Sequence, residues 1–168
     1  MEDRSVVALQ LGREPRAFRR VAVRCPWGWP AVTEQEPYDD GGHPFPTTYY
    51  LTCRHLVAAV SRLEASGGVE RWSERVAEDA TLRSSVERAT AEQRSVRAEL
   101  ALGRRGLDDG ESLDFGIGGS RNPLRLKCLH AHVAFALARP GYELGDLVVG
   151  ELGQLWPDDR CCAAEVAS

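Results

Sequence analysis

Lysine is almost missing from this chain. Of its 21 basic residues, 20 are arginine and one is Lys127. The bias is compositional, but it makes Lys127 conspicuous, because arginine was accepted everywhere else. Long apolar runs are missing too, so no membrane-spanning helix is expected. The first residues lack the apolar core of a secretory signal, which makes the cytoplasm the expected location. Positive charge is not in excess: 25 acidic residues against 21 basic give a net charge of −4. With no basic stripe, nucleic acid has no electrostatic footprint to bind. Cys-x-x-Cys pairs are absent, and five cysteines form an odd set with no disulfide-framework spacing. In a reducing compartment they read as thiols, metal ligands or core residues.

What is present fits a globular chain. The 168 residues, 43% hydrophobic and 27% charged, suffice for one domain with a real core. The pattern predicts an α+β fold: a single compact domain over 1–153, with a small sheet and several helices, and a loosely held tail over 154–168. Ser5 to Leu11 reads as a helix stopped by Gly12. Val21, Val23 and Cys25 alternate as a strand that runs into Cys25-Pro26-Trp27-Gly28-Trp29-Pro30, a stiff knuckle. Ala31 to Thr33 is a second short strand, and Phe45 to Leu51 a third. Thr52 fits a helix N-cap, with Cys53 first in the helix that Gly67-Gly68 ends. Val69 to Glu78 is the next helix. Leu82, Val86, Ala89, Gln93, Val96 and Leu100 then form a narrow seam, which lies on the domain or offers residues 82–100 to a protein partner. Asn122 and Pro123 open an almost wholly apolar, buried helix over 122–139. Leu147 to Val149 reads as a last strand.

The densest chemistry lies between Gly116 and His132. Cys25, Cys53 and Cys128 each stand at a junction of elements, and Cys128 and His132 are one helical turn apart. A three-thiolate set with His132 or an open position as fourth ligand would hold zinc, or an iron–sulfur cluster on the three cysteines with one iron open to substrate. The separations match no standard finger or ferredoxin, so two other readings stay open. In one the cysteines are buried core residues of a non-catalytic module. In the other, Cys53 or Cys128 is the nucleophile of a metal-free thiol enzyme with a histidine base; His130 is a further candidate, though helical spacing turns it away from Cys128. Gly118, Gly119, Ser120, Arg121 and Lys127 are candidates for a small anionic ligand, because a glycine-rich turn entering a helix presents free N–H groups.

Several blocks together carry a resemblance. Cys25-Pro26-x-Gly28-x-Pro30, Pro44-Phe45-Pro46-Thr47-x-Tyr49-x-Leu51-Thr52-Cys53, Gly116-Ile117-Gly118-Gly119 and Lys127-Cys128-Leu129-His130-Ala131-His132 resemble, in order, the mainly actinobacterial domain-of-unknown-function family 501. The likeness spans roughly Gly12 to Leu152 and implies no established activity. Two departures stand out: Arg54 occupies a position commonly proline in that family, and Gly141 to Gly145 lacks an Asn-Pro turn.

Overall fold

Alternating β-branched residues build the sheet. Strand β1 (Phe18–Arg24) pairs antiparallel with β2 (Pro30–Gln35), which pairs antiparallel with β3 (Tyr49–Leu51), in the order β1-β2-β3. The computed structural model that shows this describes residues 2–162. The knuckle closes the first hairpin. Cys25 N–H donates to Trp29 O, and Gly28 N–H returns to Cys25 O, each at 2.9 Å. Central β2 is buried along its whole length. Its Glu34 carboxylate survives there because Arg19, Arg20 and the Tyr49 hydroxyl all donate to it. The third strand is shorter than the 45–51 run predicts. Pro44 and Pro46 have no N–H for the ladder, and Phe45 N–H is spent on Pro37 O.

Six α-helices, two short 3-10 helices (Glu111–Asp114 and Ile117–Gly119) and this sheet are the regular elements of the described residues, a single α+β domain. Helix α1 (Asp3–Leu11) ends at Gly12 in the left-handed conformation. Helix α2 (Arg54–Ala65) starts one residue later than predicted, so Cys53 and not Thr52 is its N-cap. Helix α3 (Gly68–Glu78) and α4 (Ala80–Ala101) follow, the latter capped by Asp79, whose carboxylate accepts from Thr81 N–H and Leu82 N–H. On α4 the residues Leu82, Val86, Ala89 and Gln93 face inward, so the chain itself covers most of the seam.

Arg97, on the same face of α4, is fully buried. It donates to Ser112 O, Phe45 O and Thr48 Oγ1, stitching two loops to the helix. Burial lowers its pKa to about 10, so it remains charged at neutral pH. The glycine-rich stretch after α4 crosses the Tyr38 ring at Gly106. A Cβ there would fall 2.2 Å from the ring, at a backbone angle (φ +59°) that glycine tolerates.

Two expectations for the last third of the chain are corrected. The buried helix, α5, spans Leu129–Ala138 and not 122–139. Asn122 Oδ1 accepts from Leu124 N–H, and Ser120 Oγ donates to the carbonyls of Asn122 and Arg125. A side-chain turn thus takes the groups a helix would need. Residues 147–149 lie in a helix, α6 (Glu143–Glu151), whose first turn carries Glu143 and Asp146 and which buries Leu144 and Val148 one turn apart. Helix α5 sits at the centre, touching β3 on one side and α6 on the other. Its Phe135 meets Tyr49 and Tyr142 edge-on, each at 5.6 Å between centroids. Leu155 and Trp156 lie against the core and Cys162 is buried. Residues 163–168 of the expected tail, among them Ala163 and Ala164, lie outside the described residues.

Candidate functional site

Helices α2 and α5 both begin on a cysteine, and both starts open onto one cavity of about 560 Å³. The end of α1 contributes Gln10 and Leu11, the sheet Tyr49 to Leu51, α2 Arg54, Val57 and Ala58, and α5 Cys128, His130 and Ala131. The volume is that of a small-molecule site. Its lining is largely apolar, with one guanidinium and no carboxylate. Cys53 makes no side-chain cap, so the first-turn N–H groups of α2 keep their positive partial charge, whereas at the start of α5 Leu129 N–H is taken by the Glu64 carboxylate.

Two wall residues, both more than nine-tenths buried, hold a polar atom with no hydrogen-bond partner: Gln10 Oε1 and Thr52 Oγ1. The Gln10 amide is fixed, since its Nε2 donates to Pro30 O at 2.8 Å. Thr52 is fixed by its backbone, whose N–H donates to Ala31 O. Arg54 donates to Gln10 O and Leu9 O, closing the end of α1 over the cavity. An unpaired buried acceptor or hydroxyl costs about 1–3 kcal/mol. Both belong to residues of one cavity wall, where each calls for a partner.

Cys128 is half-buried in this wall. Burial pushes its thiol pKa up, more than the N–H groups of Ala131 and His130 bring it down. The resting thiol is therefore neutral, unlike an activated nucleophile. His130 lines the same cavity, contrary to the spacing argument, because Cys128 is an extended N-cap and not a helical residue. The ring is held at both nitrogens: Nδ1 lies 3.0 Å from Glu64 Oε1, and Nε2 lies 3.3 Å from Ser61 Oγ. That order has the look of a hydrolase relay. Ser61, however, sits within α2, where the helix consumes nearby N–H groups and leaves no oxyanion-stabilising pair. Glu64 Oε2 accepts from Leu129 N–H at 2.7 Å, so the triplet fastens the start of α5 to α2.

The remaining sequence candidates do not converge on this cavity. His132 is buried on α5 with Nδ1 2.7 Å from the Tyr142 hydroxyl. Cys25 Sγ lies 3.4 Å from Cys162 Sγ, and Cys162 was no candidate at all. Among the described residues no group of three His, Cys, Asp or Glu side chains stands ready to hold a metal ion. Cys25, Cys53, Cys128 and His132 form no such group there. The glycine-rich stretch folds on itself: Gly116 N–H donates to Ser120 O and Gly119 N–H to Gly116 O. A Cβ on Gly119 would meet Pro46 at 2.9 Å, so this turn is a close approach between segments. Arg121 pairs with Glu111 and lies over the Phe115 ring, and Lys127 is exposed. Sequence reasoning missed Gln10, Thr52 as a wall residue, Glu64 and Cys162, because each acts through a partner at least 20 residues away.

No helix of the described chain is long and apolar enough to cross a membrane. No curated protein and no solved structure matches the chain. A family model described as a protein of unknown function matches residues 21–152, which include both cysteine-capped helix starts, and the chain belongs to that family, DUF501.

Proposed function

We propose that this protein binds a small organic acid in the cavity between the starts of α2 and α5. The observation that carries the reading is the pair of buried, unpartnered atoms, Gln10 Oε1 and Thr52 Oγ1, on one wall. The start of α2 and Arg54 favour negative charge in the cavity, whereas the start of α5 already holds the Glu64 carboxylate. Leu11, Leu51, Val57 and Ala58 suit an apolar body. Gln10 Oε1 only accepts, so the ligand also carries a hydroxyl or N–H donor. The neutral Cys128 thiol favours binding over nucleophilic catalysis.

The test is a thermal-shift and calorimetric titration with short hydroxy acids of increasing apolar size, each beside its uncharged amide and the matching amine. Acids should raise the melting temperature and amines should not. Thr52→Val and Gln10→Leu should each weaken acid binding about tenfold, the effect of one lost buried hydrogen bond. The reading fails if no acid binds, or if binding is unchanged in both variants.

A further inference from the structure

The sulfur atoms of Cys25 and Cys162 are 3.4 Å apart, and both residues are 4% exposed. Cys53, fully buried at the start of α2, faces the same Cys162 thiol. Three buried thiols from the knuckle, a helix N-cap and the C-terminal stretch therefore gather in one place. Cys25 is fixed by the tight turn to Gly28, and Cys53 by its N–H to Ala31 O. Cys162 arrives on the stretch after α6, which covers the knuckle: Gln154 to Asp158 and Pro26-Trp27 line a common groove. Free cysteines pack well in cores, but packing does not require thiols remote in sequence to meet sulfur to sulfur.

We propose that Cys25 and Cys162 are a thiol-oxidation site, at which a hydroperoxide joins them in a disulfide that fastens the C-terminal stretch to the knuckle. When residues 154–162 lift locally, the Cys162 thiolate attacks a peroxide oxygen. The O–O bond breaks, giving a sulfenic acid and, after protonation, water or the alcohol. Cys25 sulfur then attacks the sulfenic sulfur; the S–S bond forms, and the S–O bond breaks as hydroxide leaves with the Cys25 proton as water. Two thiols lose two electrons and two protons, and the peroxide is reduced by the same two electrons. Cys53 is placed to exchange with the new disulfide: its thiolate would attack one sulfur, the S–S bond would break, and the other sulfur would leave as a thiolate that takes up the proton.

The experiment uses the full chain, reduced and then treated with hydrogen peroxide. Free thiols should fall from five to three, with the intact mass lowered by two hydrogens. Cleavage after glutamate separates Cys25 from Cys53, and the unreduced digest should join the Cys25 peptide to the C-terminal one. The link should survive Cys161→Ser and disappear in Cys162→Ser. In Cys25→Ala it should move to Cys53. Oxidation should raise the melting temperature of the unaltered protein, reversibly with dithiothreitol, and leave that of Cys162→Ser unchanged. Five thiols remaining after peroxide, a link through Cys161 or Cys128, or a stoichiometric metal ion held by these thiols would each overturn the proposal. The thiol count needs no variant, so a poorly folding substitution does not protect the idea.

Discussion

The ring of His132 lies within the core, where a charge has almost nothing to stabilise it. Burial lowers its pKa to about 4, against 6.5 for the free side chain. The unfolded chain therefore takes up this proton at higher pH than the folded one. Stability contributed by the neutral ring is lost as pH falls from about 6.5 toward 4, by about 3 kcal/mol over the window. His132→Gln should flatten urea-derived stability across that window. Asp39 and Asp108, each held down to about 2, begin to cost stability only below about 3.8. Thr52 argues the opposite sign. Its hydroxyl is buried without a partner, so Thr52→Val should stabilise the ligand-free protein by about 1 kcal/mol while weakening acid binding. Denaturant titration with and without acid separates the two effects. Arg97→Met strands the Phe45 carbonyl and Thr48 Oγ1, while Ser112 O keeps Phe115 N–H; the same titration should show a loss of about 3 kcal/mol.

Among the elements, α5 shows best what sequence carries and what it hides. Its apolar run from Leu129 to Leu137 was legible, and so was its central position, because almost no polar face remains. Its start was not. Asn122-Pro123 is a good helix opening by local chemistry, but Ser120 Oγ claims the carbonyls that would continue the helix. The same limit hid α6: Leu147-Val148-Val149 is a strand by propensity, and burial of Leu144 with Val148 decides otherwise. Because α5 lacks a capping side chain of its own, Glu64 supplies the acceptor from α2. Glu64→Ala should cost about 1–2 kcal/mol by removing a cap and a favourable charge, and Glu64→Gln less, since an amide oxygen still accepts. Amide exchange at Leu129 and His130 should quicken in the alanine variant.

At the scale of the molecule, the α+β class and the order of most elements followed from periodicity and turn residues. The candidate site followed only in part. Cys128 and His130 were singled out by local density and do line the cavity, whereas the wall opposite them comes from Gln10 and Thr52, which look ordinary in sequence. Cysteine identity was legible and cysteine partnership was not, since Cys25 and Cys162 lie 137 residues apart and nothing local links them.

The roof and floor of the cavity have different histories available to them. Gln10 and Leu11 lie before residue 21, ahead of the matched span, while every other lining residue falls within it. The roof is one nine-residue helix, tied down by Arg54 to its last carbonyls, by Gln10 to Pro30 and by Arg24 to Asp3. A related chain with proline in place of Arg54 would lose both the one guanidinium of the lining and the tie that holds the roof. On the acid-binding reading proposed above, that one position sets both the charge of the floor and the fit of the roof.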